Sequence, residues 1–202
     1  MKTIRLTVVA AIAVTAVAGG AGASAVSASV LCSTNTNPCT GTTYGAKTAF
    51  AAQNVSGKAA TWTTPVGNIK CNGSQLKGEL TNAEGAGVIS SSIQTSCIGP
   101  FGSACTLVTE NLPWTFQANA SGGGNGSFAI SGNGGTMPRI NWSCGGFIKC
   151  KFSFPTLSFS GGNPAKLTAV EQPMVLEGAL CPAEATFDAE YEVTAPKPAF
   201  VV

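Results

Sequence analysis

The stretch Ile148–Phe154, with the sequence Ile-Lys-Cys-Lys-Phe-Ser-Phe, is the clearest indication of the fold class. Its apolar residues alternate strictly with Lys and Ser, which is the two-residue period of a β-strand with one buried face. Phe187–Thr194 repeats the pattern near the C-terminus, because Phe, Ala, Tyr and Val alternate there with Asp, Glu, Glu and Thr. Both segments therefore predict strands whose inside faces follow from the alternation.

Other segments extend this pattern along the chain. Ile140–Cys144 and Trp114–Ala120 each place their apolar residues on one face. Weaker alternation marks eight further segments, at 44–53, 59–71, 74–80, 87–97, 105–110, 127–131, 156–160 and 166–177. Turns rich in Gly, Pro and Asn separate the segments, and roughly ten short strands with frequent turns are typical of sandwiches and barrels. We therefore predict an all-β fold, an antiparallel β-sandwich or barrel of about ten short strands stapled by disulfides.

The N-terminus has the pattern of a secretory signal peptide. Lys2 and Arg5 precede an apolar run from Leu6 to Ala18, and small residues then allow cleavage after Ala25 or Ala28. The run is too short to span about 30 Å of hydrocarbon. The prediction is a signal peptide over 1–28, a single β domain over 29–202, and a secreted protein with no membrane span after cleavage.

All eight cysteines lie beyond the cleavage region, and an even count in an exported chain indicates four disulfides. The chain has no His and no Cys-x-x-Cys pair, so we predict no metal or other cofactor. Sequence alone does not determine the connectivity. Proximity along the chain favours three local pairs and one long-range pair: Cys32 with Cys39, Cys97 with Cys105, Cys144 with Cys150, and Cys71 with Cys181.

The charges and the missing residue types exclude several classes of function. Eleven Lys and Arg oppose nine Asp and Glu, and removal of Lys2 and Arg5 with the signal peptide leaves nine of each. Such a chain has no basic face for nucleic acid. Without His there is no His-based nucleophile or general base, and with Asp188 as the only Asp there is no aspartic dyad. The sequence thus contains no recognisable catalytic motif.

Carboxylates on one predicted strand are the first weak candidates for a site. Asp188, Glu190 and Glu192 share a strand face with about 7 Å between neighbours. That spacing suits a carboxylate pair or a Ca²⁺ site completed by a loop, but a solvated outer face has the same pattern. A carboxylate-based glycan-active enzyme would need two acidic groups in one cleft, drawn from Glu110, Glu171, Glu177 or Glu190.

The other candidates are an aromatic residue and a glycine-rich segment. Trp62 is flanked by threonines, which predicts a partly exposed side chain suited to stacking on a sugar ring. The stretch Gly122–Gly135 predicts hairpin loops, and loops at the ends of sandwiches often carry binding sites.

Four stretches of the chain are distinctive: Leu31–Cys39, Asn111–Trp114, Gly161–Ala165 and Leu180–Tyr191. Together they resemble a group of uncharacterised secreted proteins from soil actinobacteria, in which the cysteine-bearing stretches recur in the same order. The resemblance covers nearly the whole mature chain and implies bacterial export and one domain. It implies no activity, ligand or catalytic residue.

These observations lead to a prediction of broad function only. The expected role is a non-enzymatic binding or surface-interaction module, whose partner is a cell-wall or extracellular polymer. The alternatives are the carboxylate-based enzyme, a structural component of the envelope or spore surface, and a barrel that holds a small apolar ligand.

Overall fold

The computed structural model of the protein describes residues 29–145, 148–153, 156–177, 181 and 184–202. The predicted signal peptide, 1–28, lies outside these residues, as does Phe154 of the segment that indicated the fold class.

The described residues form fourteen β-strands and two short 3₁₀ turns, so the all-β prediction is confirmed. The strands are β1 (Leu31–Cys32), β2 (Ala49–Asn54), β3 (Ala60–Thr64), β4 (Gly67–Leu80), β5 (Ala86–Ile98), β6 (Ala104–Glu110), β7 (Trp114–Gly122), β8 (Asn125–Ser131), β9 (Arg139–Cys144), β10 (Ile148–Ser153), β11 (Thr156–Ser160), β12 (Lys166–Glu177), β13 (Ala185–Ala195) and β14 (Phe200–Val201). The 3₁₀ turns are Pro100–Gly102 and Asn133–Gly135. The sequence predicted about ten strands, and the fourteen of the described residues include two, β1 and β14, of only two residues each.

Four long strands determine the architecture. β4, β5, β12 and β13 have 14, 13, 12 and 11 residues, and each changes partners along its length. Their upper halves form a closed antiparallel ladder with β2, β7, β8 and β11, which we call the upper ring. Of the two predicted alternatives, the fold is therefore an eight-stranded barrel with additional strands.

The same long strands also close a second circuit, which we call the lower ring. Here β3 pairs with β4 and β13, while β6, β9 and β10 connect β5 to β12. The register shifts at Lys77/Gly78 on β4 and at Ala169/Gln172 on β12. Such bulges bend a strand and increase its twist, which allows one strand to serve both rings.

Aromatic side chains fill the interior of the upper ring. The rings of Phe50, Phe116 and Phe128 lie 4.9 to 5.8 Å apart between centroids, and Phe159 stacks on Phe128 at 5.2 Å. An eight-stranded barrel is just wide enough for side chains to fill. The described interior of the upper ring is thus a packed core, an arrangement that does not favour the small-ligand alternative.

The first and last strands of the described residues lie against the upper ring. β1 pairs with β14, and Leu31 and Val201 of this short ladder are both buried. Val201 donates its backbone N–H to the carbonyl of Gly124 in the turn between β7 and β8. Residues 31–41 therefore lie beside a turn that is about eighty residues away in the sequence.

The chain forms four disulfides, but only one of the predicted pairs is correct. Cys32–Cys39 is confirmed, whereas the predicted pairs Cys97–Cys105, Cys144–Cys150 and Cys71–Cys181 are wrong. The observed bonds are Cys71–Cys97, Cys105–Cys144 and Cys150–Cys181. The first two join residues directly opposite each other on adjacent strands, and that proximity is set by strand register and not by distance along the chain.

Four disulfides are consistent with a protein located outside the cytoplasm. Across the residues with described structure, none of the helical turns is long and apolar enough to cross a bilayer.

Candidate functional site

Trp62 is a core residue, and the expectation that it is partly exposed was wrong. Its side chain is 1% exposed and packs on Phe187 with 4.9 Å between the ring centroids. The cause is strand parity: Ala60, Trp62 and Thr64 all point into the lower ring, while Thr61 and Thr63 point outward. A residue flanked by threonines on a strand lies on the face opposite to theirs, so Trp62 offers no platform to a sugar.

The acidic residues of β13 lie on the outer face, as the alternation predicted. Asp188, Glu190 and Glu192 are partly exposed, while Ala189 and Tyr191 between them are buried. Each carboxylate has a partner from a neighbouring segment. Lys166 lies 2.5 Å from Glu190, Lys197 lies 3.3 Å from Glu192, and Asp188 accepts a hydrogen bond from the backbone N–H of Glu171.

These partners affect the acidity of the carboxyl groups. The hydrogen bond and the charge of Lys166 hold the pKa of the Glu190 carboxyl below its ordinary value. A general acid in glycoside hydrolysis needs the opposite shift. Glu110, another candidate, lies in the lower ring, where it accepts a hydrogen bond from Asn141 and faces Lys151 at 3.6 Å. Glu190 therefore does not suit the role of the general acid, and the side chain of Glu177 lies outside the described residues.

The same residues do not form a cation site. Among the residues whose structure is described, no cluster of three or more His, Cys, Asp or Glu side chains has the arrangement to hold a metal ion. Calcium needs six to eight oxygen ligands, and the carboxylates of β13 are directed to lysines and a backbone amide instead.

The glycine-rich stretch is divided between two places in the fold. Gly122–Gly124 forms the turn between β7 and β8 at the upper end of the barrel, and all three glycines have positive φ. Gly132–Gly135 lies half-way down the barrel, where the backbone N–H of Asn133 bonds to the carbonyl of Asn111. Strand β8 separates the two turns, so only the first belongs to the end of the barrel.

The turn at Gly122–Gly124 forms one wall of a groove of about 350 Å³, which we call the upper groove. The opposite wall is Asn35 and Asn37, from the loop that the Cys32–Cys39 disulfide closes. Asn35 donates from its side-chain amide to the carbonyl of Gly123, and Asn37 is exposed. The disulfide and this hydrogen bond fix the groove before any ligand arrives.

Uncharged polar side chains continue from the upper groove down the outside of the barrel. We call this surface the polar face, and its polar side chains are those of Thr115, Gln117, Asn119, Ser127, Ser131, Thr156, Ser158 and Ser160 on β7, β8 and β11, with Ala129 among them. Asn119, Ser127 and Ser158 lie directly opposite one another across three strands. Strand geometry places such groups about 4.8 Å apart across the sheet and about 7 Å apart along it.

No Lys, Arg, Asp or Glu side chain lines the upper groove or belongs to the polar face. Residues 31–40, 114–131 and 156–160 contain no Lys, Arg, Asp or Glu. The groups on offer are hydroxyls, carboxamides and backbone amides, which both donate and accept hydrogen bonds. This surface is chemically suited to an uncharged ligand rich in hydroxyl groups.

Sequence reasoning identified one wall of this site and missed the other. Gly122–Gly124 stood out by composition, whereas Asn35 and Asn37 did not. The available signal was the predicted Cys32–Cys39 staple, because a short disulfide-closed loop that carries two Asn residues presents their amides in a fixed place.

Comparisons with known proteins add no family to this description. No protein-family model matches the chain, and neither curated proteins nor solved structures provide a match.

Proposed function

We propose that this protein is an exported, non-enzymatic binding module that holds a neutral polysaccharide of the cell wall or extracellular matrix. The binding surface is the upper groove together with the polar face. The observation that carries the proposal is the absence of charged side chains over three adjacent strands and two loops that are rich in hydrogen-bonding groups.

The geometry favours a polymer over a small molecule. A single hydrogen bond exchanged with water contributes only about 0.5–1.5 kcal/mol, so one sugar on this surface binds weakly. A chain that repeats the same hydroxyls along the polar face makes many such contacts at once, and the linked contacts reinforce one another. The exposed side chains of these strands include no aromatic ring, so binding rests on hydrogen bonds.

Export is part of the proposal. A signal peptide cleaved after Ala25 or Ala28 would release a chain that begins at Val26 or Ser29. The hydroxyl of Ser29 accepts the backbone N–H of Ala120, and Val30 pairs with Val202, so either product keeps the contacts at the upper end. Intact mass of protein recovered from the culture medium tests this, and a chain that starts at Met1 would contradict it.

The binding test uses the purified mature protein with insoluble cellulose and chitin, and with polygalacturonate as an acidic comparison. We expect depletion from solution by a neutral polymer and none by the acidic one. Asn37→Ala and Ser158→Lys should each weaken binding, because the first removes an amide from the groove and the second places a bulky charge on the polar face.

A matched control is Thr106→Lys, which adds the same charge at an exposed position on β6 of the lower ring. It should leave binding unchanged. The proposal would be overturned if the wild-type protein bound neither cellulose nor chitin. Equal loss of binding in Thr106→Lys and Ser158→Lys would also overturn it.

A further inference from the structure

The most exposed aromatic side chain of the described residues lies at the opposite end of the barrel from the upper groove. Phe101 is fully exposed, at 102% of its reference area, in the turn Pro100–Gly102 between β5 and β6. Its backbone has φ of 59°, in the left-handed region that non-glycine residues rarely adopt. A large apolar side chain that is fully exposed on this turn is available for contact with another molecule.

The turn that carries Phe101 is held rigidly. Cys97 and Cys105 lie four residues before and four residues after it, and their disulfides anchor the two ends to β4 and β9. Pro100 is buried against Gly67, where an added Cβ would lie 3.0 Å from the Pro100 ring. Phe101 is thus presented in one orientation, which lowers the entropy cost of docking it.

The same end of the barrel has a groove that fits an apolar side chain. This lower groove has a volume of about 480 Å³ and is lined by residues of β3, β12 and β13 and of the adjoining turns, among them Thr64, Pro65, Pro173, Met174 and Glu184. Only the turn Thr64–Gly67, with Val66 47% exposed at its tip, separates the groove from the Pro100–Gly102 turn.

The charges beside the two features are complementary. Lys70 is exposed on the outer face of β4, directly opposite Ile98, which is 52% exposed and lies three residues before Phe101. Glu184 is exposed at the lower groove. The projecting side therefore has a cation and the receiving side an anion.

We propose that the lower end is a self-complementary surface through which two copies of this chain form a symmetric dimer. Phe101 of each copy enters the lower groove of the other, the Val66 turns meet near the two-fold axis, and Lys70 of each copy faces Glu184 of its mate. A two-fold interface is isologous, so a projection and a groove on the same surface satisfy each other twice.

The surface area that the two copies can bury limits the affinity of the dimer. Two Phe side chains bury about 300–500 Å² in total, whereas a stable specific interface buries about 1,200 Å² or more. Ile98 and the Val66 turn must therefore join the contact, and the dimer is one that dissociates on dilution. Because the lower ends meet, the two upper grooves face away from each other, which makes the dimer bivalent. This proposal does not depend on what the upper groove binds.

Sedimentation velocity of the mature protein over a wide concentration range tests the proposal. We expect a monomer–dimer equilibrium whose dissociation constant rises roughly tenfold or more in Phe101→Ser. Val108→Ser, which changes another exposed apolar residue on β6, should leave the constant unchanged. Asn37→Ala should also leave it unchanged, which separates this result from a failure of polysaccharide binding.

Reversing the charges of Lys70 and Glu184 tests whether these two residues face each other across the dimer. Lys70→Glu and Glu184→Lys should each weaken the dimer, because like charges then face each other. The double variant should restore it, because residues 70 and 184 again have opposite charges. Circular dichroism confirms that each variant is folded. A monomer at every concentration, a dimer insensitive to Phe101→Ser, a double variant weaker than both single ones, or Phe101-dependent binding of a monomer to phosphatidylglycerol vesicles would overturn the proposal.

Discussion

Cys97 and Cys105 lie directly opposite each other on β5 and β6, yet each forms its disulfide with the strand on its other side. Opposite residues in an antiparallel ladder alternate between narrow pairs, about 4.5 Å between Cα atoms, and wide hydrogen-bonded pairs, about 5.5 Å. The Cα atoms of Cys71–Cys97 and Cys105–Cys144 are 4.0 and 4.2 Å apart, so both are narrow pairs. Because narrow and wide pairs alternate from one neighbouring strand to the next, Cys97 and Cys105 form a wide pair with each other. Each of the two cysteines therefore forms its disulfide with the strand on its other side.

This arrangement predicts which cysteine-bearing peptides remain linked after proteolysis without reduction. We expect Cys97 to be recovered with Cys71 and Cys105 with Cys144, by mass spectrometry of the digest. The Cys105→Ala/Cys144→Ala variant should lose about 4 kcal/mol of unfolding free energy, because a sequence separation of 39 residues closes a long loop.

The matched control is Cys32→Ala/Cys39→Ala, whose separation is only seven residues. On the same chain-entropy basis it should lose about 2.5 kcal/mol. A peptide that joins Cys97 to Cys105, or a larger loss from the Cys32–Cys39 variant, would contradict the observed connectivity.

Alternation along single strands was predictable from sequence because each barrel residue points either inward or outward. The inward faces of β9 and β13 follow directly from it. The partner changes of β4, β5, β12 and β13 were not predictable, since they depend on bulges and on segments far away in the chain. The candidate site divides in the same way: the Gly122–Gly124 turn is local, but its pairing with Asn35 requires β1 and β14 to meet.

Substitution of Trp62 tests its assignment to the core. Trp62→Ala should lower the unfolding free energy by about 3–5 kcal/mol, since it removes a fully buried aromatic side chain. Trp62→Phe should cost less, because its indole N–H has no hydrogen-bond partner among the described residues and no bond is lost. Urea unfolding measures both. Loss of polysaccharide binding by a folded Trp62→Phe variant would instead restore Trp62 as a binding residue.

Gly78 is a position where backbone spacing, and not turn geometry, requires glycine. It lies at the bulge between β4 and β5, and a Cβ there would overlap the backbone carbonyl of Val88. Gly78→Ala should therefore destabilise the fold by about 1–3 kcal/mol, because the two strands must separate. Gly45→Ala is the control, since nothing lies within 4 Å of the added carbon. A destabilising Gly45→Ala together with a neutral Gly78→Ala in thermal unfolding would contradict this assignment.

The hydrogen bond between Ser74 and Tyr191 is enclosed by the upper ring. The two hydroxyl oxygens are 2.9 Å apart, and both side chains are buried. Tyr191→Phe should lower the unfolding free energy by about 1–3 kcal/mol at neutral pH, since it leaves the Ser74 hydroxyl without its partner. The Ser74→Ala/Tyr191→Phe variant should be less destabilised than the sum of the two single changes, as a double-mutant cycle measured in urea will show.

Tyr191 also makes stability depend on pH in the alkaline range. Burial raises the pKa of its phenol to about 12, and the hydrogen bond to Ser74 opposes the shift. In the unfolded chain the pKa of the same phenol is about 10. Below about pH 10 both states hold the proton, so Tyr191 causes no pH dependence there. Between the two pKa values the unfolded state releases the proton first, and stability falls as pH rises. Urea midpoints measured from about pH 8 to pH 11 should decline less steeply in Tyr191→Phe than in the wild type.

The chain has only two tyrosines, which allows Tyr191 to be titrated alone. Burial also raises the pKa of Tyr44, whose hydroxyl donates to the carbonyl of Pro198. In Tyr44→Phe the remaining phenol is Tyr191, and its near-ultraviolet absorbance should change only close to pH 12, or at the pH where the protein unfolds. A midpoint near that of free tyrosine, in a protein still folded by circular dichroism, would show that Tyr191 is accessible to solvent and that the interior of the upper ring is open.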